Sequence, residues 1–173
     1  MFERLPAFED FRDASFGACM YKCSILDCVQ GLEKAMSLGF YDYRTFNIKD
    51  YVQHERLEDG DMNWIIPGKL LAFSCPGNTS NDYEGWKCYT PEDYGPVFKS
   101  KNVGTVIRLN KVTYDAERFK RQGLRHHELY FLDGSVPSAN IIREFIALVE
   151  KEPGAVAVHC KACLLYTSDA ADE

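Results

Sequence analysis

Pro153-Gly154-Ala155-Val156-Ala157-Val158-His159-Cys160-Lys161 is the stretch that decides the fold. Proline and glycine break whatever precedes it, and four consecutive apolar residues follow. A strand with one wet face alternates apolar and polar residues, whereas an unbroken apolar run suits a strand covered on both faces. The segments before it fit that reading. Ser138 to Lys151 sets Ile141, Ile142, Phe145, Ile146 and Val149 on one helical face, with Ser138 as its cap. His127 to Leu132 is predicted as a strand, Tyr114 to Gln122 as a helix stopped by Gly123, and Val103 to Leu109 as a strand. Strands alternating with helices predict an α/β fold with parallel pairs.

Further upstream the signals are local. Pro91 to Lys101 predicts a short helix, with Thr90 as cap and Pro91 at its first position. Trp64 to Phe73 reads as two short strands around Pro67-Gly68, and Ser74 to Thr90 has the composition of a surface loop. Ser24 to Leu38 is an amphipathic helix ended by Gly39. Tyr41 to Glu58 is aromatic and charged, without clean periodicity.

A 46% hydrophobic content argues for a packed core rather than disorder. No apolar run approaches the roughly 20 residues of a membrane span. The start of the chain lacks the basic and apolar regions of a secretory signal. A net charge of -6 argues against general nucleic-acid binding, so neither nucleic acid nor membrane is expected as a partner. The seven cysteines are odd in number and irregular in spacing, which predicts reduced thiols inside the cell, in nucleus and cytoplasm. Zinc binding by Cys19, Cys23 and Cys28 lacks CxxC pairs or a nearby histidine; buried small apolar residues are the expected role.

His159, Cys160, Lys161 and Ala162 follow the apolar run directly. Ligands of open α/β sheets bind at the carboxyl ends of strands. A thiol there, before a loop leading into a helix, meets outward-pointing N–H groups and a helix dipole. Both stabilise a thiolate and phosphate oxygens. Strand position alone leaves a buried structural cysteine as an equal alternative. Asp133 adds to the first reading, since it lies in Phe131-Leu132-Asp133-Gly134-Ser135-Val136-Pro137 at the end of another strand. A departing alkoxide or phenolate needs a proton, which a loop carboxyl can give. The plain alternative is a turn aspartate before glycine.

Trp64 to Phe73, Val106 to Lys111, Asp133-Gly134-Ser135-Val136-Pro137 and Ala157 to Ala162 together resemble the cell-division-cycle fourteen phosphatases, dual-specificity enzymes that reverse proline-directed phosphorylation. Arg12-Asp13-Ala14 and Ile25 to Gly31 match as well, so the resemblance runs from about Pro6 to Ala162. It implies a dual-specificity phosphatase-like fold. Residues 1–89 would be the later part of a non-catalytic N-terminal domain, 90–102 a linker helix, and 103–162 an incomplete catalytic domain. It also implies roles. Cys160 would form a phosphocysteine with Lys161 and Ala162 in its phosphate-binding loop, Asp133 would be general acid and later base, and His159 would orient the loop and help ionise the thiol. Substrates would be phosphoserine- or phosphothreonine-proline and phosphotyrosine proteins with a nearby basic residue, met by Glu55 and Asp61; Val52 stands at a third acidic position. A solvated acidic surface is the plainer account of these carboxylates. No cofactor or metal is expected.

One requirement is not met. Such phosphatases need Cys-x5-Arg, and Tyr166 stands where the guanidinium should be. Cys163, Leu165 and Ser168 occupy the places of glycines. The chain is therefore expected to be inactive as written. Residues 163–173 resemble translated sequencing-adapter DNA and are expected to be foreign to the gene. Two other readings need Cys163 to be native: a non-catalytic pseudophosphatase that binds its partner, and a redox or zinc site made from Cys160-Lys161-Ala162-Cys163. The strand ending at Val158 is expected to lack cover on one face and to lower solubility.

Overall fold

The structure, a computed structural model, describes residues 8–13, 17–81 and 87–161, and divides into two compact units, 1–46 and 47–173. In the first, Phe11–Arg12 (β1) pairs antiparallel with Lys22–Cys23 (β2), and Ile25–Ser37 forms helix α1. Ser24 caps it. The Ser24 hydroxyl accepts from the Asp27 amide at 3.1 Å, and the Asp27 carboxylate accepts from the Ser24 amide at 2.8 Å. Gly39, at φ +72°, ends the helix in the left-handed conformation that glycine adopts without strain. No residue of α1 is fully buried. Cys19 and Cys23 are half-buried and Cys28 is exposed, so the expected role as buried apolar residues is not met.

The second unit contains α2 (Ile48–His54), β3 (Met62–Ile66), β4 (Leu70–Phe73), α3 (Pro91–Ser100), β5 (Val103–Arg108), α4 (Glu117–Lys120), β6 (Arg125–Glu128), α5 (Ala139–Lys151) and β7 (Ala155–His159). Five strands make one sheet in the order β3-β4-β7-β5-β6. Only the β3–β4 pair is antiparallel. The apolar run lies at the centre, with Ala157 opposite both Leu71 and Val106.

Period-two geometry then sorts the core. Ala155 and Ala157 face one layer with Phe73, Tyr94, Phe98, Val106 and Phe119. Val156 and Val158 face the other, where Ile141, Phe145, Leu148 and Val149 of α5 pack. Both faces of β7 are covered, and none of its residues is more than 7% exposed. The expected bare face is thus corrected: α3 and α4 lie on one side and α5 on the other. Ile142 and Ile146 of α5 remain exposed.

The domain boundary also needs correction. β3 and β4 belong to the same sheet as β5 to β7, and the compact unit begins at Asn47 rather than near residue 90. Helix α3 is no linker. Tyr94 and Phe98 are buried in the core, with ring centroids of Phe98 4.9 Å from Phe73 and 6.0 Å from Phe119.

Three local readings shift. The helix expected over Tyr114 to Gln122 contracts to Glu117–Lys120, because Tyr114 is drawn into the core and the Asp115 carboxylate accepts from the Glu117 amide at 3.0 Å. Strand β6 starts and ends earlier than His127 to Leu132; past it Tyr130 and Leu132 turn to solvent. The stretch without periodicity holds α2, capped by the Asn47 side chain on the Asp50 amide at 3.1 Å. Among the described residues no helix is long and apolar enough to cross a membrane.

Candidate active site

β7 delivers His159 and Cys160 to the carboxyl edge of the sheet. The Leu109 amide donates to the His159 carbonyl at 2.9 Å, which fixes the strand end beside β5. His159 is 3% exposed and falls on the same face as Ala157, beneath the Phe73 ring at 4.8 Å. Its Nδ1 lies 3.0 Å from the Cys160 carbonyl, which can only accept, so Nδ1 carries the hydrogen. Nε2 is then an acceptor, and the Tyr114 hydroxyl donates to it at 2.7 Å. That hydroxyl has spent its one hydrogen, so His126 Nε2, at 2.9 Å from the same oxygen, must be the donor. A buried relay His126–Tyr114–His159 therefore ends on the carbonyl of Cys160.

Arg108 holds the middle of this relay. It is 1% exposed, donates to both Glu128 carboxylate oxygens at 2.8 and 2.5 Å, and donates to the Tyr114 carbonyl at 2.7 Å. Its guanidinium lies 4.4 Å from the Tyr114 ring centroid. Burial pushes the Tyr114 hydroxyl far above its ordinary range, so it remains a donor at any working pH. Burial likewise lowers His159 to about 3, despite its bond to the Cys160 carbonyl. The imidazole is neutral. Its Nδ1–H bond to the Cys160 carbonyl ties the ring to the chain at the thiol.

His126 is also lowered by burial, to about 4, against the opposing pull of Glu128. Both imidazoles bind protons less tightly when folded than at the ordinary 6.5, so the unfolded chain takes them up first as pH falls. The stability these rings contribute is complete above about pH 6.5 and is lost as pH falls through their lowered values. Urea midpoints are expected to drop between pH 6.5 and 4.5, before most carboxylates titrate, and His159→Gln to flatten that slope. An unchanged midpoint across this window would contradict the assignment.

Cys160 is half-buried and Lys161 exposed; Ala162 and residues 163–173 lie outside the described residues. Asp133 is exposed in a turn after β6, where the Ser135 amide donates to the Leu132 carbonyl at 3.1 Å and Gly134 takes φ +69°. β6 and β7 run parallel with β5 between them, so the loop bearing Asp133 and the segment bearing Cys160 both follow strand ends on the carboxyl side of the sheet.

The expected acidic pair fares differently. Glu55 is half-buried at the end of α2. Asp61 is 1% exposed, so it does not face solvent. Gly60 and Asp61 take φ +96° and +39°, and this left-handed corner carries the carboxylate inward as the chain enters β3. Two open clefts, of about 470 and 300 Å³, are lined by Ile48, Val52 and Arg56 and by Thr105, Arg125 and Glu152; neither includes Cys160 or Asp133. No group of three or more His, Cys, Asp or Glu among the described residues is placed to hold a metal.

The geometry is a thiol at the carboxyl end of a central parallel strand, oriented from behind by a neutral buried imidazole. Comparison with known proteins adds the family. Residues 1–35 match the model for "Dual specificity protein phosphatase, N-terminal half". The dual specificity protein phosphatases CDC14A of Mus musculus and Homo sapiens are 50% and 51% identical over 159 residues. These alignments span 92% of this chain but 26% and 27% of those proteins. Over nine-tenths of its length the chain is about half identical to CDC14 dual specificity phosphatases. The Caenorhabditis elegans tyrosine-protein phosphatase cdc-14 agrees at 44% identity over 91% of the chain. The chain spans about a quarter of the length of the curated relatives it matches. Among solved structures, a kinase associated phosphatase superposes with a TM-score of 0.45 at 15% identity, over 55% of this chain and 57% of that one, too low to assign a fold by itself.

Tyr114, His126 and Arg108 escaped the sequence reading. Parity held one clue: Arg108 shares the inward face of Val106 on β5, an unusual place for a charge.

Proposed function

We propose that residues 47–162 belong to the catalytic half of a cysteine-dependent dual-specificity protein phosphatase, with Cys160 as nucleophile. The observation that carries this reading is the arrival of His159 and Cys160 at the carboxyl edge of a central, fully covered parallel strand. The Cys160 sulfur attacks phosphorus, and the ester oxygen leaves with a proton from Asp133. Water, activated by the same carboxylate, then cleaves the S–P bond and releases phosphate. His159 positions the chain on which the thiol sits. Ala162 continues the phosphate-binding loop begun by Cys160 and Lys161.

Substrates in this proposal are phosphoserine- or phosphothreonine-proline and phosphotyrosine proteins carrying a basic residue nearby, in nucleus and cytoplasm. Glu55 is the carboxylate retained for that basic residue. The foreign origin of residues 163–173 is part of the same proposal, supported by the loss of the arginine and the glycines together at one junction. Sequencing an independent transcript across Ala162 tests it; recovery of the same tail would sink it.

Asp133 has a separate test. In a chain whose loop residues have been restored, Asp133→Asn is expected to slow phenyl phosphate at least about a hundredfold, since a poor leaving group needs its proton. An ester whose leaving group departs unprotonated should lose much less. Equal losses for both would remove Asp133 from the role of acid.

A further inference from the structure

Cys23 and Cys28 meet at the start of α1, their Sγ atoms 3.7 Å apart. The contact follows from the cap. Ser24 is the N-cap, so Cys23 lies just before it and Cys28 at the fourth helical position. An apolar pair in these two places ordinarily clips the entering chain to the first turn. Here both places hold thiols. The Ser24–Asp27 capping box fixes the turn between them, and Cys23 is further held by its pairing with Phe11 across β1 and β2. Cys23 is half-buried and Cys28 exposed, so small solutes reach the pair.

We propose that Cys23 and Cys28 are a modification site: a dithiol that closes to a reversible disulfide by exchange with a small-molecule disulfide, stapling the N-terminus of α1. The Cys28 thiolate attacks one sulfur of the incoming disulfide, forming a mixed disulfide and expelling one small thiolate. The Cys23 thiolate then attacks the Cys28 sulfur, forming the Sγ–Sγ bond and expelling the second. The two protein protons end on the two small thiols, and the protein loses two electrons to the reagent. From 3.7 Å the sulfurs need to approach by less than about 2 Å to reach bonding distance. Cys28 is the more exposed of the two and meets the incoming disulfide first, while the hydrogen bond with Cys28 holds the Cys23 thiol above its ordinary range. Cys19 stands apart, donating to the Tyr21 carbonyl at 3.2 Å.

The chain itself makes the test simple. Trypsin cuts after Lys22 and Lys34, so both cysteines fall in one peptide with no internal lysine or arginine. The reduced full chain is incubated with oxidised glutathione, alkylated and digested. The expected product is that peptide two hydrogens lighter and unalkylated, in at least about tenfold higher yield than from the chain in urea, because folding raises the effective concentration of one thiol at the other. Cys19→Ser should leave the yield unchanged. Cys23→Ser and Cys28→Ser should each leave glutathione trapped on the remaining sulfur. Equal yields folded and in urea, alkylation of both cysteines, or pairing with Cys19 would each overturn the proposal.

Discussion

The unaltered chain is expected to leave an aryl phosphate untouched, and the chain carrying Cys163→Gly, Leu165→Gly, Tyr166→Arg and Ser168→Gly to hydrolyse it at least about a thousandfold faster. Charge sets this difference. A thiolate attacking a phosphate dianion brings negative groups together, and the transition state spreads that charge over the phosphoryl oxygens. A guanidinium meets two of those oxygens with parallel N–H bonds and keeps its charge at every working pH. Tyr166 has one hydroxyl and no charge. Neutral His159 cannot compensate, since burial lowers it to about 3. The three glycines matter separately, because backbone N–H groups approach the phosphate closely only where no side chain intervenes. Tyr166→Arg alone should therefore recover only part of the rate. Robust hydrolysis by the unaltered chain would refute the charge argument. An inert restored chain that still folds would favour a pseudophosphatase that binds its partner without turning it over.

Phe98→Ala is expected to cost about 3–5 kcal/mol of unfolding free energy, a large share of a typical domain's margin. Phe98 is 0% exposed and packs within 6.0 Å, ring to ring, of Phe73, Tyr94 and Phe119. Truncation removes the buried ring and leaves a cavity that the stiff sheet beneath cannot close. Phe98→Leu keeps much of the volume and should cost clearly less. Urea unfolding followed by circular dichroism measures both. The result bears on architecture as well as stability: were α3 a linker between bodies, Phe98→Ala would shift the midpoint by no more than an ordinary surface change, within about 0.5 kcal/mol.

Much of the sheet was legible because its signals are local. Ala155 to Val158 announced a covered strand, Ser138 to Lys151 a capped helix, and Thr90-Pro91 a helix start. The boundary near residue 90 was misplaced because β4 joins β7 through pairs such as Leu71 with Ala157, and no local period reports a partner so distant in sequence. The site divided the same way. That Cys160 follows a strand was readable from the apolar run before it. The relay through Tyr114 exists only once His126 and His159, on separate strands, converge on one hydroxyl. The burial of Asp61 was not readable, because carboxylates are surface groups by default; it is 1% exposed, at a left-handed corner.

In the proposed reaction Cys160 takes up the phosphoryl group. Acid-quenching the loop-restored chain during turnover and mapping its peptides by mass spectrometry tests this directly. Phosphate is expected on Cys160, and neither adduct nor turnover in Cys160→Ser. Turnover that persists in Cys160→Ser, or phosphate found on another residue, would contradict it.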